Sequence, residues 1–123
     1  MPVEIVRRPV VGEDGQLIGE AEYLNNLLHG KRTLMSPAGL KFEEAEYVHG
    51  VLHGRTRVWD ENGQLTQEMN YSNGQLHGSY LTWWSNGKPK EQGNFGRGAR
   101  IGIYRWFTEQ GALQSEYNYS EGG

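Results

Sequence analysis

Asn73-Gly74-Gln75-Leu76-His77-Gly78-Ser79-Tyr80-Leu81-Thr82-Trp83-Trp84-Ser85-Asn86-Gly87 decides the fold, because it holds one complete strand between two hairpin turns. Asn-Gly is a strong short hairpin signal: a type I′ turn needs positive φ at both central residues, which Asn and Gly tolerate best. The run between the turns is rich in Tyr, Thr, Leu and Trp, side chains suited to a pleated, half-buried surface.

Displaced by 24 residues in either direction, the pattern returns without insertion or deletion. One turn glycine recurs at Gly15, Gly39, Gly63, Gly87 and Gly111, and a second at Gly50, Gly74, Gly98 and Gly122. A mid-strand glycine at Gly30, Gly54, Gly78 and Gly102 follows Leu28-His29, Leu52-His53, Leu76-His77 and the degenerate Arg100-Ile101. An aromatic stands at Tyr23, Tyr47, Tyr71, Phe95 and Tyr119, and a bulky residue at Met35, Trp59, Trp83 and Phe107. The chain is therefore a repeat protein. Strands are expected near 3–11, 17–23, 28–35, 40–47, 52–59, 65–71, 76–84, 88–95, 100–107 and 113–119, and no segment carries a helical period. The fold class is all-β: a single-layer, twisted antiparallel meander of 24-residue hairpin repeats forming one domain over 1–123. Its parts are a leading strand at 3–11, repeats at about 14–35, 36–59, 60–83 and 84–107, and a partial repeat at 108–119. Pro9 marks the leading strand as an edge, and Ser120 to Gly123 should fray.

Composition agrees with one thin layer. Of 123 residues only 36% are hydrophobic and 18 are glycine, which argues against a thick two-layer core. With no cysteine there are neither disulfides nor thiolate metal sites. No apolar run approaches the ~18 residues of a membrane span, and Met1 to Arg8 lacks a signal-peptide core, so a cytoplasmic protein is the default. A formal charge of −3 carries no basic field for nucleic acid.

Alternation and two-residue turns predict which residues share a face. About Asn73-Gly74, Tyr71 should face Leu76, Asn70 His77, and Glu68 Ser79; about Asn62-Gly63, Trp59 should face Thr66 and Arg57 Glu68. One face then carries Leu17, Leu65, Leu113, the Tyr23-to-Tyr119 column, Leu28, Leu52, Leu76, Leu34, Val58 and Tyr104, turned to the inside of the curl. The other carries Glu20, Glu44, Glu68, Gln92 and Glu116, with Lys31 beside Glu20, Arg55 beside Glu44, Arg57 beside Glu68 and Arg105 beside Glu116. Gln92 should lie between Leu81 and Ile103, leaving an apolar area on a charged face. That area supplies the candidate partner-binding residues: Trp59, Leu81, Trp83, Ile101, Ile103 and Phe107 as anchors, and Arg57, Glu68, Arg105 and Glu116 as a polar rim. The chain's own leading or trailing segment, or a second copy in a homodimer, could cover the same area. Pairing of a partner with the leading strand or with the 114–119 strand is a second mode of binding.

Catalytic and cofactor readings fail on spacing. His29, His53 and His77 fall two strands apart, roughly 9.6 Å at ~4.8 Å per strand, too far to share a zinc held at about 2.0–2.1 Å; cross-strand pairing with Glu22, Glu46 or Asn70 accounts for them. His49 has no assigned role. Carboxylate pairs such as Glu43-Glu44 point to opposite faces, and same-face pairs are solvated and matched by cations. Gly93-Asn94-Phe95-Gly96-Arg97-Gly98 lacks the following helix that a phosphate loop requires. No Ser/His/Asp signature is present. Stacking of single-stranded nucleic acid on Trp and Tyr is opposed by the acidic column. No catalytic, metal or cofactor residues are therefore assigned.

The recurring Leu-His-Gly, the bulky residue five positions on, Asn-Gly, and then Glu and Tyr three residues apart resemble the variant MORN repeat over residues 14–119, most clearly from Val51 to Tyr71 and from Gln75 to Phe95. Departures are Arg100-Ile101 for Leu-His, Met35 for the aromatic, and Pro37-Ala38-Gly39 for an Asn-Gly turn. The resemblance implies a hairpin-repeat sheet acting as a binding module, in the form found in bacterial antitoxin components: an antitoxin or immunity protein that occludes a toxin or effector. It also permits a scaffold that associates with membranes or organises a larger assembly. For membrane binding the charged column supplies no basic cluster.

Overall fold

A computed structural model describes residues 4–121. Ten strands follow in order: β1 (Val6–Val11), β2 (Leu17–Leu24), β3 (Leu27–Met35), β4 (Lys41–Val48), β5 (Val51–Trp59), β6 (Leu65–Ser72), β7 (Gln75–Trp83), β8 (Pro89–Gly96), β9 (Ala99–Phe107) and β10 (Leu113–Asn118). Each pairs antiparallel with its chain neighbours in one open sheet of order β1 to β10, the single-layer meander that the repeat predicts. Among the described residues there is no α-helix, and none long and apolar enough to cross a membrane. The leading strand begins at Val6, so Glu4 and Ile5 precede it; Val3, Gly122 and Gly123 lie outside the described residues. Tyr119–Glu121 forms a 3-10 turn instead of a frayed end, because Ser120 is tied at both ends. The Gly102 N–H donates to Ser120 Oγ (3.0 Å), and the Ser120 N–H donates to Asn118 Oδ1 (3.0 Å).

The two turn classes differ, although the sequence writes both as Asn-Gly. Asn73 and Gly74 both take positive φ (49° and 83°), as a type I′ turn requires. At Asn62-Gly63 and Asn86-Gly87 only the glycine does, so these are longer loops that close through a left-handed glycine. The Gly63 N–H donates to Asp60 O, the Asp60 N–H to Gln64 O, and Asp60 Oδ1 accepts from the Asn62 and Gln64 N–H groups at 2.9 and 3.0 Å. Ser36 and Thr108, each 24 or 48 residues from Asp60, accept similarly from Leu40 and Ala112.

Register departs from prediction at each Leu-His-Gly. Tyr71 does face Leu76, but Met69 faces Tyr80 and Glu68 faces Leu81, not Ser79. His77, Gly78 and Ser79 together span the place of Asn70, so Asn70 does not pair with His77. Gly78, at φ 94°, makes this bulge, and Gly30 and Gly54 repeat it. The two-residue slip preserves sidedness and changes partners. Glu20 therefore faces Thr33 rather than Lys31, Glu44 faces Arg57 rather than Arg55, and Gln92 faces Arg105 rather than Ile103. A further shift beside the long loops sets Trp59 against Leu65, not Thr66.

Leu-His acts as a clasp between repeats. The turn glycine N–H groups of Gly50, Gly74 and Gly98 donate to Leu28 O, Leu52 O and Leu76 O at 2.7, 2.8 and 2.9 Å. The His49 and Asn73 N–H groups donate to His29 Nδ1 and His53 Nδ1, both at 3.2 Å. These histidines thus pair with backbone of the next turn, not with Glu22 or Glu46. Glu22 Oε1 accepts from the Lys31 N–H across the bulge (2.7 Å).

Every buried side chain lies on the tyrosine face. Ala21, Ala45, Met69, Thr56, Thr82 and Tyr104 are buried there, in cross-strand rows such as Ala45 with Thr56 and Met69 with Tyr80. Val58 and Leu34 share this face, as expected. Leu17, Leu65 and Leu113 do not: they pair with Val11, Trp59 and Phe107 and so join the charged face, where Leu17 and Leu113 are 65% and 54% exposed.

Candidate functional site

All ten predicted contact residues emerge on the charged face. Pairing carries one row across the sheet, Arg57 to Glu68 to Leu81 to Gln92 to Arg105 to Glu116, and alternation adds Trp59, Trp83, Ile101, Ile103 and Phe107 to the same side. The ion pairs form as predicted in two places: Arg57 Nε reaches Glu68 Oε2 at 2.9 Å, and Arg105 Nε reaches Glu116 Oε2 at 2.7 Å. Exposed pairs of this kind contribute about 0.2–1 kcal/mol each and serve register more than stability.

The apolar area is divided rather than continuous. Because Gln92 faces Arg105, the Arg105–Glu116 pair runs between Ile101 and Ile103 on one side and Phe107 and Leu113 on the other. Ile101 and Ile103 are 47% and 45% exposed; Leu81, Trp83, Trp59 and Phe107 are half-buried. At the long-loop end the loops lock together. Trp84 Nε1 donates to Phe107 O (3.2 Å), Asn86 Nδ2 to Glu109 O (2.8 Å), and Lys90 Nζ lies 4.6 Å from the Trp84 ring centre. These contacts tie residues 84–90 to residues 107–109 at this end of the face.

Toward β1 the same face is polar. Arg7 contacts Glu20 and Glu22 at 3.8 and 3.7 Å, and Lys41 holds Glu44 at 3.1 Å. Burial pulls the Glu44 carboxyl upward, but the hydrogen bond and charge of Lys41, with Lys31 and Arg57, hold it below the usual carboxylate value. A shallow cleft of about 490 Å³ over the first two bulges is lined by Glu22, His29, Glu46 and His53 among others. Two of its ring nitrogens already accept backbone N–H groups, and among the described residues no group of three or more His, Asp or Glu is placed to hold a metal.

Sequence reasoning passed over an aromatic cluster on the tyrosine face. Tyr104 contacts Trp106 (4.8 Å between ring centres), Tyr119 (6.0 Å) and Phe95 (6.2 Å), with the Arg100 guanidinium 4.7 Å from its ring centre. The ring lies over Gly93, where any Cβ would overlap it. A signal was available: the column Ala21, Ala45, Met69, Gly93 loses its side chain in the copy where Arg32, Thr56, Tyr80, Tyr104 holds a large buried ring.

Burial, then the nearby Glu91 carboxylate, pushes the Tyr104 hydroxyl up from 10.0 to about 12. Tyr80 is raised by burial and Glu91, and Tyr71 by burial and Glu43. A phenol whose folded pKa lies above its unfolded value stabilises the fold fully below pH 10 and loses that contribution as pH rises toward about 12. The urea midpoint should therefore fall between pH 10 and about 12, and Tyr104→Phe should flatten that fall; an equally steep fall in the variant would reject the assignment.

No curated protein matches the chain. The MORN repeat variant matches at residues 52–73, 76–96 and 100–121, more than half of the sequence. These spans coincide with β5–β6, β7–β8 and β9–β10, and include the copy that carries Arg100-Ile101 in place of Leu-His. Such repeats make the chain a repeat-based binding or scaffold module. With ten strands tiled as hairpins and three consecutive matching copies, the chain belongs to the MORN repeat variant family.

Proposed function

We propose that the protein is a non-enzymatic protein-binding module that covers the active surface of a toxin or effector, in the manner of an antitoxin or immunity protein. The observation that carries the binding surface is the exposure of Ile101 and Ile103 on one side of the satisfied Arg105–Glu116 ion pair and of Leu113 on the other, on a face that buries no side chain of its own among the described residues. Docking there desolvates apolar area without stranding a charge. The half-buried Trp83 and Phe107, backed by the locked loops, are pre-ordered anchors that lose little entropy on binding. Tyr71, Tyr80 and Tyr104 are raised and Glu44 is lowered, each away from neutrality, so none of these four is tuned for general acid or base catalysis there. The toxin or effector as partner class rests on the family resemblance.

Capture of partners from the native host with the full chain, followed by mass spectrometry, tests the class. Trp83→Ala should weaken binding to the captured protein by about 2 kcal/mol, roughly 30-fold in Kd. Unchanged affinity would remove this face from the reading, and sedimentation with anionic vesicles in place of a protein partner would favour the membrane scaffold.

A further inference from the structure

We propose that β10 is a docking edge that accepts an extended strand from a partner protein, with a cationic side chain of that strand set opposite Glu116. The inference deepens the protein-binding reading above and uses backbone rather than the apolar face. Among the described residues β10 pairs only with β9, and its sequence, Leu113-Gln114-Ser115-Glu116-Tyr117-Asn118, contains no Pro, Lys or Arg. The opposite edge is guarded. In β1, Pro9 removes a ladder donor, Arg7 is held by Glu20 and Glu22, and Arg8 donates to Asn26 Oδ1 (3.0 Å) with its guanidinium 5.0 Å from the Tyr23 ring centre. Proline and charge on an edge deter strand addition, and β10 has neither device beyond a single neutralised carboxylate.

The repeat shows what the outer side of β10, unpaired among the described residues, would take. Glu116 occupies the place of Glu44, and Tyr117 the place of Ala45, 72 residues earlier. In β4 these residues face Arg57 and Thr56 of β5. Where neighbours flank both sides, the row position is closed: Ala21, Ala45 and Met69 are 0%, 1% and 8% exposed, whereas Tyr117 is 53% exposed. The carboxylates differ in the same sense, Glu44 and Glu68 being 16% and 20% exposed at the side chain and Glu116 44%. A strand resembling β5 would close both positions and give Glu116 the second cation that Glu44 obtains from Lys41 and Arg57. A second copy of β10 serves less well. It contains no Lys or Arg to set opposite Glu116, and the register that pairs Glu116 with Glu116 would oppose like charges, which destabilises a ladder.

The probe is a synthetic peptide with the β5 sequence, Val51 to Trp59, titrated into the full 123-residue chain and followed by amide hydrogen exchange and by the chemical shifts of β10. Protection should rise for residues 113–118 and not for β1. An Arg57→Glu version of the peptide should bind at least tenfold more weakly at low salt, with the difference shrinking as salt screens the pair. No added protection in β10, equal binding of the two peptides, or a chain that dimerises with β10 already protected would each overturn the proposal. Trp83→Ala should leave peptide binding unchanged while it weakens the captured partner, so failure of the edge and failure of the apolar face are read separately.

Discussion

Gly93→Ala should destabilise the protein by about 3 kcal/mol, as a fall in the urea midpoint without loss of strand content. A Cβ at this position would overlap Cδ2 and Cε2 of Tyr104 and lie 2.8 Å from its Cγ. Overpacking of a filled site costs typically 1–3 kcal/mol and occasionally more. The upper end applies because the ring is fully buried and hemmed in by Trp106, Tyr119 and Phe95, so it has no free direction in which to move. Tyr104→Thr should cost a similar amount by opening a cavity. The two changes together rebuild the Ala45–Thr56 pair already present between β4 and β5. Their combined effect should fall short of the sum by on the order of 1–2 kcal/mol, the mark of two side chains competing for one volume. Strict additivity would mean that Gly93 is small for some reason other than the ring above it.

The second large effect is expected at a bulge. Gly30→Ala should cost about 2 kcal/mol, whereas Gly63→Ala should cost about 1, although both glycines have positive φ (104° and 83°). Around Gly63 nothing lies within 4 Å of the new carbon, so only backbone strain is felt. At Gly30 the carbon would sit 2.6 Å from Glu22 Oε1, the atom that accepts the Lys31 N–H. Pushing the carboxylate aside leaves that N–H without its partner and disturbs the contact of Glu22 with Arg7. Thermal unfolding of the two variants checks the ranking; equal losses would show that the carboxylate over the bulge contributes nothing.

Gly93 and Gly30 also show where sequence reading stopped. Gly30 was recognisable as a repeated mid-strand glycine, and room for rings is the role that alternation assigns to it. Its conformation, a positive φ that inserts extra residues into β3, β5 and β7, has no local signature apart from the glycine itself. The consequences are seen at Glu20, Glu44 and Gln92, whose partners each slip by two residues while Arg57–Glu68 and Arg105–Glu116 stay in place. Those two pairs span the long loops, away from the bulges. The candidate contact face survived because a slip of two preserves sidedness; its continuity did not, because the same slip brings Arg105 in where Ile103 was expected.

The amino-acid sequence by itself settles the period, the positions of the turns though not their types, the number and order of the strands, and the side on which most residues emerge. Each of these depends on short-range chemistry: left-handed turn residues, two-residue alternation and a constant spacing between them. Cross-strand partnership beyond each bulge was decided only by the assembled sheet. The bulge that sets it is closed within its own hairpin by the Glu22 carboxylate on the Lys31 N–H, and is held from outside by groups more distant in the chain, the Gly50 N–H on Leu28 O and the His49 N–H on His29 Nδ1, which meet only once neighbouring repeats have stacked.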